Sequence, residues 1–255
     1  MEKWRLLNLA SPNRPEMNLA IEEAVFHSVA EMRAPPTVMF WRNDKAVVVG
    51  YSQSVEAEVD LDICEVEGVR VARRFSGGGT VFHDHGNLNY SIIIKADHPS
   101  IKGLDVAGSH RFFVSGVITF LEDLGLSAVF SPPSDIMVNG KKISGNAQAR
   151  RRGTILHHGT LLVNSDLDLL NRVLKARASQ DKNSNVSSRR RPVTNLIDEL
   201  GCSISIWRVT SRLKKSFEKA FSIMLVESSL TMDEARISGV LCKEKYARRE
   251  WIFLR

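Results

Sequence analysis

The segment that most restricts the fold is Arg73-Arg74-Phe75-Ser76-Gly77-Gly78-Gly79-Thr80-Val81-Phe82. A run of strand composition, Val69 to Phe75, enters three consecutive glycines and leaves through Thr80-Val81-Phe82, again strand-like. Glycines tolerate positive φ and let main-chain amides crowd a ligand, and successive amides form a concave anion-binding nest. With two arginines at its entrance, the block points to a phosphate or carboxylate ligand. No Gly-Lys-Ser/Thr ending follows, so the block is not a P-loop, and the dinucleotide spacing Gly-x-Gly-x-x-Gly with an ensuing helix is also missing. Three glycines alone favour a solvated hairpin turn, and a second feature has to decide.

The chain has 255 residues, 43% of them hydrophobic and 25% charged, the composition of one ordinary globular domain. No apolar run approaches the length of a membrane span, and Met1 to Leu7 mixes acidic and basic residues unlike a signal peptide. Cys64, Cys202 and Cys242 are far apart and odd in number, as in a reducing, cytoplasmic setting. The formal net charge is +6. Such a balance attracts anionic partners, but no aromatic-basic stripe accompanies it, so neither nucleic acid nor a membrane is the expected partner. His83, His85, His157 and His158 lack established metal-ligand spacing.

Periodicity predicts a helix from Pro15 to Met32 with an apolar stripe through Met17, Ile21, Ala24, Val25 and Val29. Strands are expected at Thr37–Trp41 and Ala46–Tyr51, and a short helix at Val59–Glu67 stopped by Gly68. The glycine block reads as a hairpin, followed by a strand at Asn89–Ile94 and a long helix over Val106–Leu124. Further on, a strand is expected at Thr154–Val163, a helix at Asp166–Leu174, and a mobile polar loop at Lys175–Arg191. Helices over Val209–Val226 and from Thr231, with its Thr231-x-x-Glu234 capping box, to Arg248 close the chain. This order gives an α+β fold with a mixed, mainly antiparallel sheet flanked by helices, and no linker divides 1–255 into two domains.

The second feature is Asn139-Gly140-Lys141-Lys142-Ile143-Ser144-Gly145-Asn146-Ala147-Gln148, whose Asn-Gly pair is a strong hairpin signal. Strand alternation places Lys142 and Ser144 on one face, with Lys141 and Ile143 on the other, so only one lysine can line a given cleft. A third block, His157-His158-Gly159-Thr160-Leu161-Leu162-Val163, follows in the next strand.

These three blocks, with the later Arg191-Pro192-Val193-Thr194-Asn195-Leu196, resemble the lipoate–protein ligases of the biotin/lipoate ligase superfamily in order and separation. The resemblance runs from the N-terminal helix to Trp251. It implies that superfamily's catalytic-domain fold and an ATP-dependent reaction that converts lipoate to lipoyl-AMP and then lipoylates a lysine of an acceptor. The acceptors implied are the E2 subunits of 2-oxoacid dehydrogenases and the glycine cleavage H protein. Lys142 resembles the essential lysine that contacts acyl carboxylate and nucleotide phosphate. Arg74, Gly77, Gly78, Gly79, Thr80, Val81 and Phe82 resemble the nucleotide contacts, and Asp135 the acid near nucleotide and Mg²⁺. Trp41, Arg73, His158 and Gly159 resemble the lipoyl pocket, and Ser188–Arg191 a loop that closes over the adenylate.

The rival reading is the octanoyltransferase branch, which carries the acyl group on a cysteine; the segment Leu126–Asp135 ahead of the lysine hairpin has none. Biotin ligases carry a different glycine-lysine motif. Ser134 stands where many ligases have Asn. The sequence also ends near where two-domain ligases continue into an accessory domain, so that domain is expected to be absent here and supplied as a separate subunit for the activation step.

Overall fold

The computed structural model describes residues 1–10, 13–175 and 191–255. Its first half comprises β1 (Glu2–Ala10), α1 (Pro15–Ala30), β2 (Thr37–Arg42), β3 (Ala46–Val49), α2 (Val55–Glu58), α3 (Leu61–Glu67), β4 (Arg70–Arg73), β5 (Val81–His83), β6 (Asn87–Lys95) and α4 (Val106–Glu122). The second half comprises β7 (Ala128–Ser131), β8 (Asp135–Val138), β9 (Lys141–Arg151), β10 (Thr154–Leu162), α5 (Leu167–Val173), α6 (Leu196–Leu200) and α7 (Ile206–Phe221). β11 (Ile223–Ser228), α8 (Met232–Leu241), a π turn (Cys242–Tyr246) and α9 (Arg249–Ile252) finish it.

Eight strands form one sheet in the order β11-β1-β2-β6-β10-β9-β8-β7, and β4-β3-β5 form a smaller one. Only β1 with β11 and β1 with β2 are parallel in the large sheet, so the expected mixed, mainly antiparallel α+β architecture is what the chain adopts. One core, with Phe113, Val117 and Phe217 from α4 and α7, fills one face of the sheet; a second, with Leu19, Val25 and Phe26 of α1, fills the other. No helix among the described residues is long and apolar enough to cross a membrane.

Four elements differ from the sequence reading. Ile223–Val226 is not the end of a helix: Ser222, at φ 55, ends α7 and the chain turns into an edge strand parallel to β1. β1 itself was hidden, because parallel strands buried on both faces lose the alternation that marks a strand. The glycine block is no hairpin, since β4 and β5 do not pair; both flank β3, and the glycines cross over the end of that central strand. α1 stops at Ala30, leaving Met32 exposed at φ 57. Of the expected mobile loop, only Lys175 and Arg191 lie within the described residues.

Candidate active site

The lysine hairpin is the local structure most tightly dictated by sequence. Asn139 and Gly140 take φ of 49° and 75°, the positive values that a two-residue type I′ connection requires. β8 and β9 then pair with a bulge: Met137 faces Lys142, but Ile136 faces Ser144, so Ile143 has no partner. The bulge overturns the expected alternation. Ile143 is in the core, and Ser144 takes the side chain of Asn146 as a hydrogen-bond donor at 3.3 Å. The Lys142 ammonium lies instead over Gly145, where a Cβ would meet it at 2.8 Å. There it pairs with Asp135 Oδ1 at 2.7 Å, while Arg191 Nε approaches Oδ2 at 3.5 Å. The Lys142 main chain is fixed on its far side too, its N–H donating to Pro192 O and its carbonyl accepting from Thr194 N–H.

A cleft of about 270 Å³ opens beside this ammonium, lined by Trp41, Val48, Arg74, Gly78, Gly79, Thr80, Val81, Asp135, Lys142, His158 and Gly159 among others. A second compartment of about 100 Å³ adjoins it, lined by Phe82, Leu170 and Leu174 and sharing Thr80, Val81, Lys142, Thr160 and Arg191 with the first. Ten of the sequence-derived site residues thus come together around the larger cavity, and Phe82 joins them in the smaller. Gly77 lines neither. Arg73 does not belong to the pocket: it is fully buried and its guanidinium donates to carbonyls of Gly50, Tyr51, Gln53, Trp251 and Ile252. Ser188–Arg190 lie outside the described residues, whereas Arg191 reaches the cleft.

Arg74 does not offer an open cationic face. Its Nη2 donates to Gly77 O and Gly79 O, both at 2.7 Å, and its Nη1 to Val48 O at 3.0 Å. Burial pushes its pKa down to about 10, which leaves it charged at neutral pH. Its work is to hold the glycine loop by the carbonyls. From the same side chain a buried chain of hydrogen bonds runs along the wall of the cleft. Arg74 Nε donates to Ser76 Oγ at 2.9 Å, and Ser76 Oγ lies 2.7 Å from His158 Nε2. His158 Nδ1 is 2.9 Å from Glu22 Oε1, which also accepts from Ser91 Oγ at 2.6 Å; Ser91 in turn accepts from Trp41 Nε1 at 2.9 Å. Every group is satisfied if Ser76 donates to Nε2 and His158 donates from Nδ1 to the carboxylate. Glu22 and Ser91 escaped the sequence reading, because an acid on a helix and a serine in an apolar strand carry no local sign of facing inward. Ser76 and Asn146 stand inside the quoted blocks, but spacing does not say which way they point.

Gly159 answers a steric demand. A Cβ there would lie 2.1 Å from Asn146 Oδ1 and 2.6 Å from the Tyr90 hydroxyl, which donates to that same Oδ1. His83, also on the wall, accepts from Asn43 at Nδ1, and burial, with Arg74 nearby, pushes its pKa down to about 3. Behind the sheet, burial likewise lowers His110 to about 4 and His157 well below the ordinary 6.5.

These depressed values set a pH dependence of stability. The histidines are neutral in the folded chain but take up protons on unfolding, so their contribution is complete above about pH 6.5 and is lost as pH falls toward 4. His83 and His110 should each cost about 2 kcal/mol by pH 5. Urea unfolding midpoints at pH 7.5 and 5 check this; equal midpoints would contradict it.

Among the described residues no three His, Cys, Asp or Glu side chains are grouped to hold a metal. Among the described residues Asp135 is the one carboxylate lining the larger cavity, where it already faces two cations, and Glu58 lines the smaller. A single carboxylate is the donor set of a Mg²⁺ carried in on substrate phosphates, not of an all-protein cage.

A glycine crossover and a bulged lysine hairpin meeting over one cleft, on an open mixed sheet, form a catalytic domain of the lipoate-ligase class. The chain belongs to the family described as the lipoyl protein ligase A/B catalytic domain, whose model matches residues 14–218. It is 35% identical over 257 residues to lipoate-protein ligase A subunit 1 of Thermoplasma acidophilum, covering 97% of this chain and 95% of that protein. It is 30% identical to the octanoyltransferase LipM of Brevibacillus brevis, covering 98% and 99%. It superposes on the bipartite Thermoplasma ligase, solved as part of a lipoylation system with its E2 lipoyl domain, with a TM-score of 0.86, 34% identity and coverage of 99% and 97%. A lipoate-protein ligase A bound with ATP gives 0.85 at 35% identity, covering 99% of each chain. The family is enzymatic, and its members include both ligases and acyltransferases.

Proposed function

We propose that this chain is an ATP-dependent lipoate–protein ligase. In the first step a lipoate carboxylate oxygen attacks the α-phosphorus of ATP and pyrophosphate leaves, giving lipoyl-AMP. In the second, the ε-amine of an acceptor lysine attacks the acyl carbon, AMP leaves and the amine loses a proton. The acceptors are lipoyl domains of E2 subunits and the H protein, and a separate accessory subunit assists adenylation.

One observation carries this reading: Lys142 borders both compartments. The larger cavity, walled by Trp41, His158 and Gly159, suits the acyl chain, and the smaller, with Val81, Phe82, Leu170 and Leu174, suits adenosine. An ammonium at their junction meets the developing negative charge on carboxylate and α-phosphate together, in a cleft that limits water. Its pairing with Asp135 holds it extended until substrate oxygens replace that partner. Asp135 and the phosphates would then hold Mg²⁺, which supplies neutralisation of the pyrophosphate. The excess of basic residues favours encounter with acidic acceptors.

The LipM relatives support a second reading, thiol-dependent octanoyl transfer. Against it, none of the three cysteines lines the cleft. Burial, with Asp60 nearby, pushes Cys64 up to about 11, and burial raises Cys242 as well, the reverse of an activated nucleophile.

The protein is incubated with ATP, lipoate and an apo-lipoyl domain, with and without the accessory subunit, and separately with lipoyl-AMP. Mass spectrometry of the domain is expected to find lipoylation from lipoyl-AMP by the chain alone, and from ATP and lipoate with the subunit added. Transfer that needs no adenylate and is blocked by iodoacetamide would favour the thiol route instead.

A further inference from the structure

We propose that the C-terminal turn α9, acting through Arg73, positions the glycine loop, which makes Trp251 and Arg73 positioning residues for nucleotide binding although neither lines the cleft. The ligand named here rests on the ligase reading; the mechanical link does not. Arg73 Nε donates to Trp251 O at 3.0 Å and Ile252 O at 2.8 Å, while Nη1 donates to Gly50 O at 2.8 Å, Tyr51 O at 3.1 Å and Gln53 O at 2.7 Å. Trp251 Nε1 returns a hydrogen bond to Arg73 O at 2.8 Å. One guanidinium therefore ties the end of the chain to the turn after β3.

That turn grips the glycine loop at three places. Tyr51 N–H donates to Ser76 O at 2.8 Å, and Thr80 Oγ1 donates to Gln53 Oε1 at 2.9 Å. Between them Gly50 packs so closely that a Cβ would stand 2.1 Å from Gly78 O. Gly78 and Thr80 line the cleft, so a path of three direct contacts leads from α9 through Arg73 and the turn to the proposed phosphate cradle. A fully buried cation with no carboxylate partner among the described residues is an expensive way to join two segments. Its reach to carbonyls of both segments at once is what an apolar residue could not supply.

α9 is itself braced. The Lys245 ammonium sits 4.2 Å from the Trp251 ring centroid and 2.7 Å from Glu23 Oε2, and the Tyr246 hydroxyl donates to the same oxygen at 2.6 Å. Burial disfavours the Glu23 carboxylate, but hydrogen bonds from His27, Lys245 and Tyr246 outweigh it and hold its pKa at about 2. Glu22, one residue earlier on α1, anchors the other end of the loop through His158 and Ser76. Adjacent carboxylates on one helix thus brace the glycine loop from two directions.

Trp251→Ala and Trp251→Phe test the link; the phenylalanine keeps the ring packing but loses the N–H donated to Arg73. Hydrogen exchange of amides 76–80 is measured without ligand, and ATP and lipoate affinities by calorimetry. Exchange in the loop is expected to speed up about tenfold in Trp251→Ala and less in Trp251→Phe. ATP binding should weaken about tenfold, and lipoate binding by clearly less. Unaltered exchange of these amides in both variants overturns the proposal, as does an equal loss of both affinities, the mark of general destabilisation. If the unmodified protein binds neither ligand, the ligase reading fails, and the exchange data still decide the link.

Discussion

Lys142→Ala is expected to lower adenylation about 10²- to 10³-fold, the loss typical of removing one preorganised donor to a charge that develops in the transition state. The fold should survive, because Lys142 is partly exposed and its main chain stays bonded to β8 and to Pro192–Thr194. Asp135 loses an ion pair but keeps Arg191 within 3.5 Å. The comparison to make is single-turnover formation of lipoyl-AMP, beside the thermal midpoint of each protein. Near-normal adenylation by a folded Lys142→Ala would end the assignment of the junction to this side chain. Arginine is not an equivalent substitute: its planar fork spreads the charge that the ammonium presents as a compact point over Gly145 and against Asp135.

Gly159→Ala should be the second severe change, and for a steric reason. The new methyl would have to displace Asn146 Oδ1 at 2.1 Å and the Tyr90 ring at 2.6 Å. Overpacking of this kind costs about 1–3 kcal/mol, and relief can come only by breaking the Tyr90–Asn146 hydrogen bond or pushing Asn146 into the cavity. Lipoate binding is expected to fall at least tenfold while ATP binding stays closer to normal, since Gly159 borders only the larger compartment. Calorimetry with each ligand separates the two. Intact lipoate affinity in Gly159→Ala would move the acyl chain elsewhere in the cleft.

Much of the architecture was legible because its signals are local. The Asn139-Gly140 turn, the Thr231–Glu234 capping box and the αL stop at Gly68 each depend on a few neighbouring residues, and each is present. Elements were missed where the deciding partner is distant. β1 and β11 exist through each other, and Ile223–Val226 reads as helix until Ser222 turns the chain. The site divides the same way. Lys142, the glycines and Gly159 stand in recognisable blocks, whereas Arg73 and Arg74 both read as ligands for an anion; instead Arg73 donates to main-chain carbonyls and Arg74 to carbonyls and to Ser76 Oγ. Nothing in an Arg-Arg pair distinguishes those uses; which carbonyls come within reach is settled by β3, α9 and the crossover.

The unpaired Ile143 gives pairing register a meaning in this hairpin. If the same residues paired as a regular ladder, Lys142 would alternate onto the face of Ser144, and its ammonium would turn toward Tyr90 and away from Gly145. Reactivity at this position is therefore encoded by register as much as by a lysine. Two homologues with the same catalytic letters could differ in competence through a one-residue slip in how this hairpin pairs.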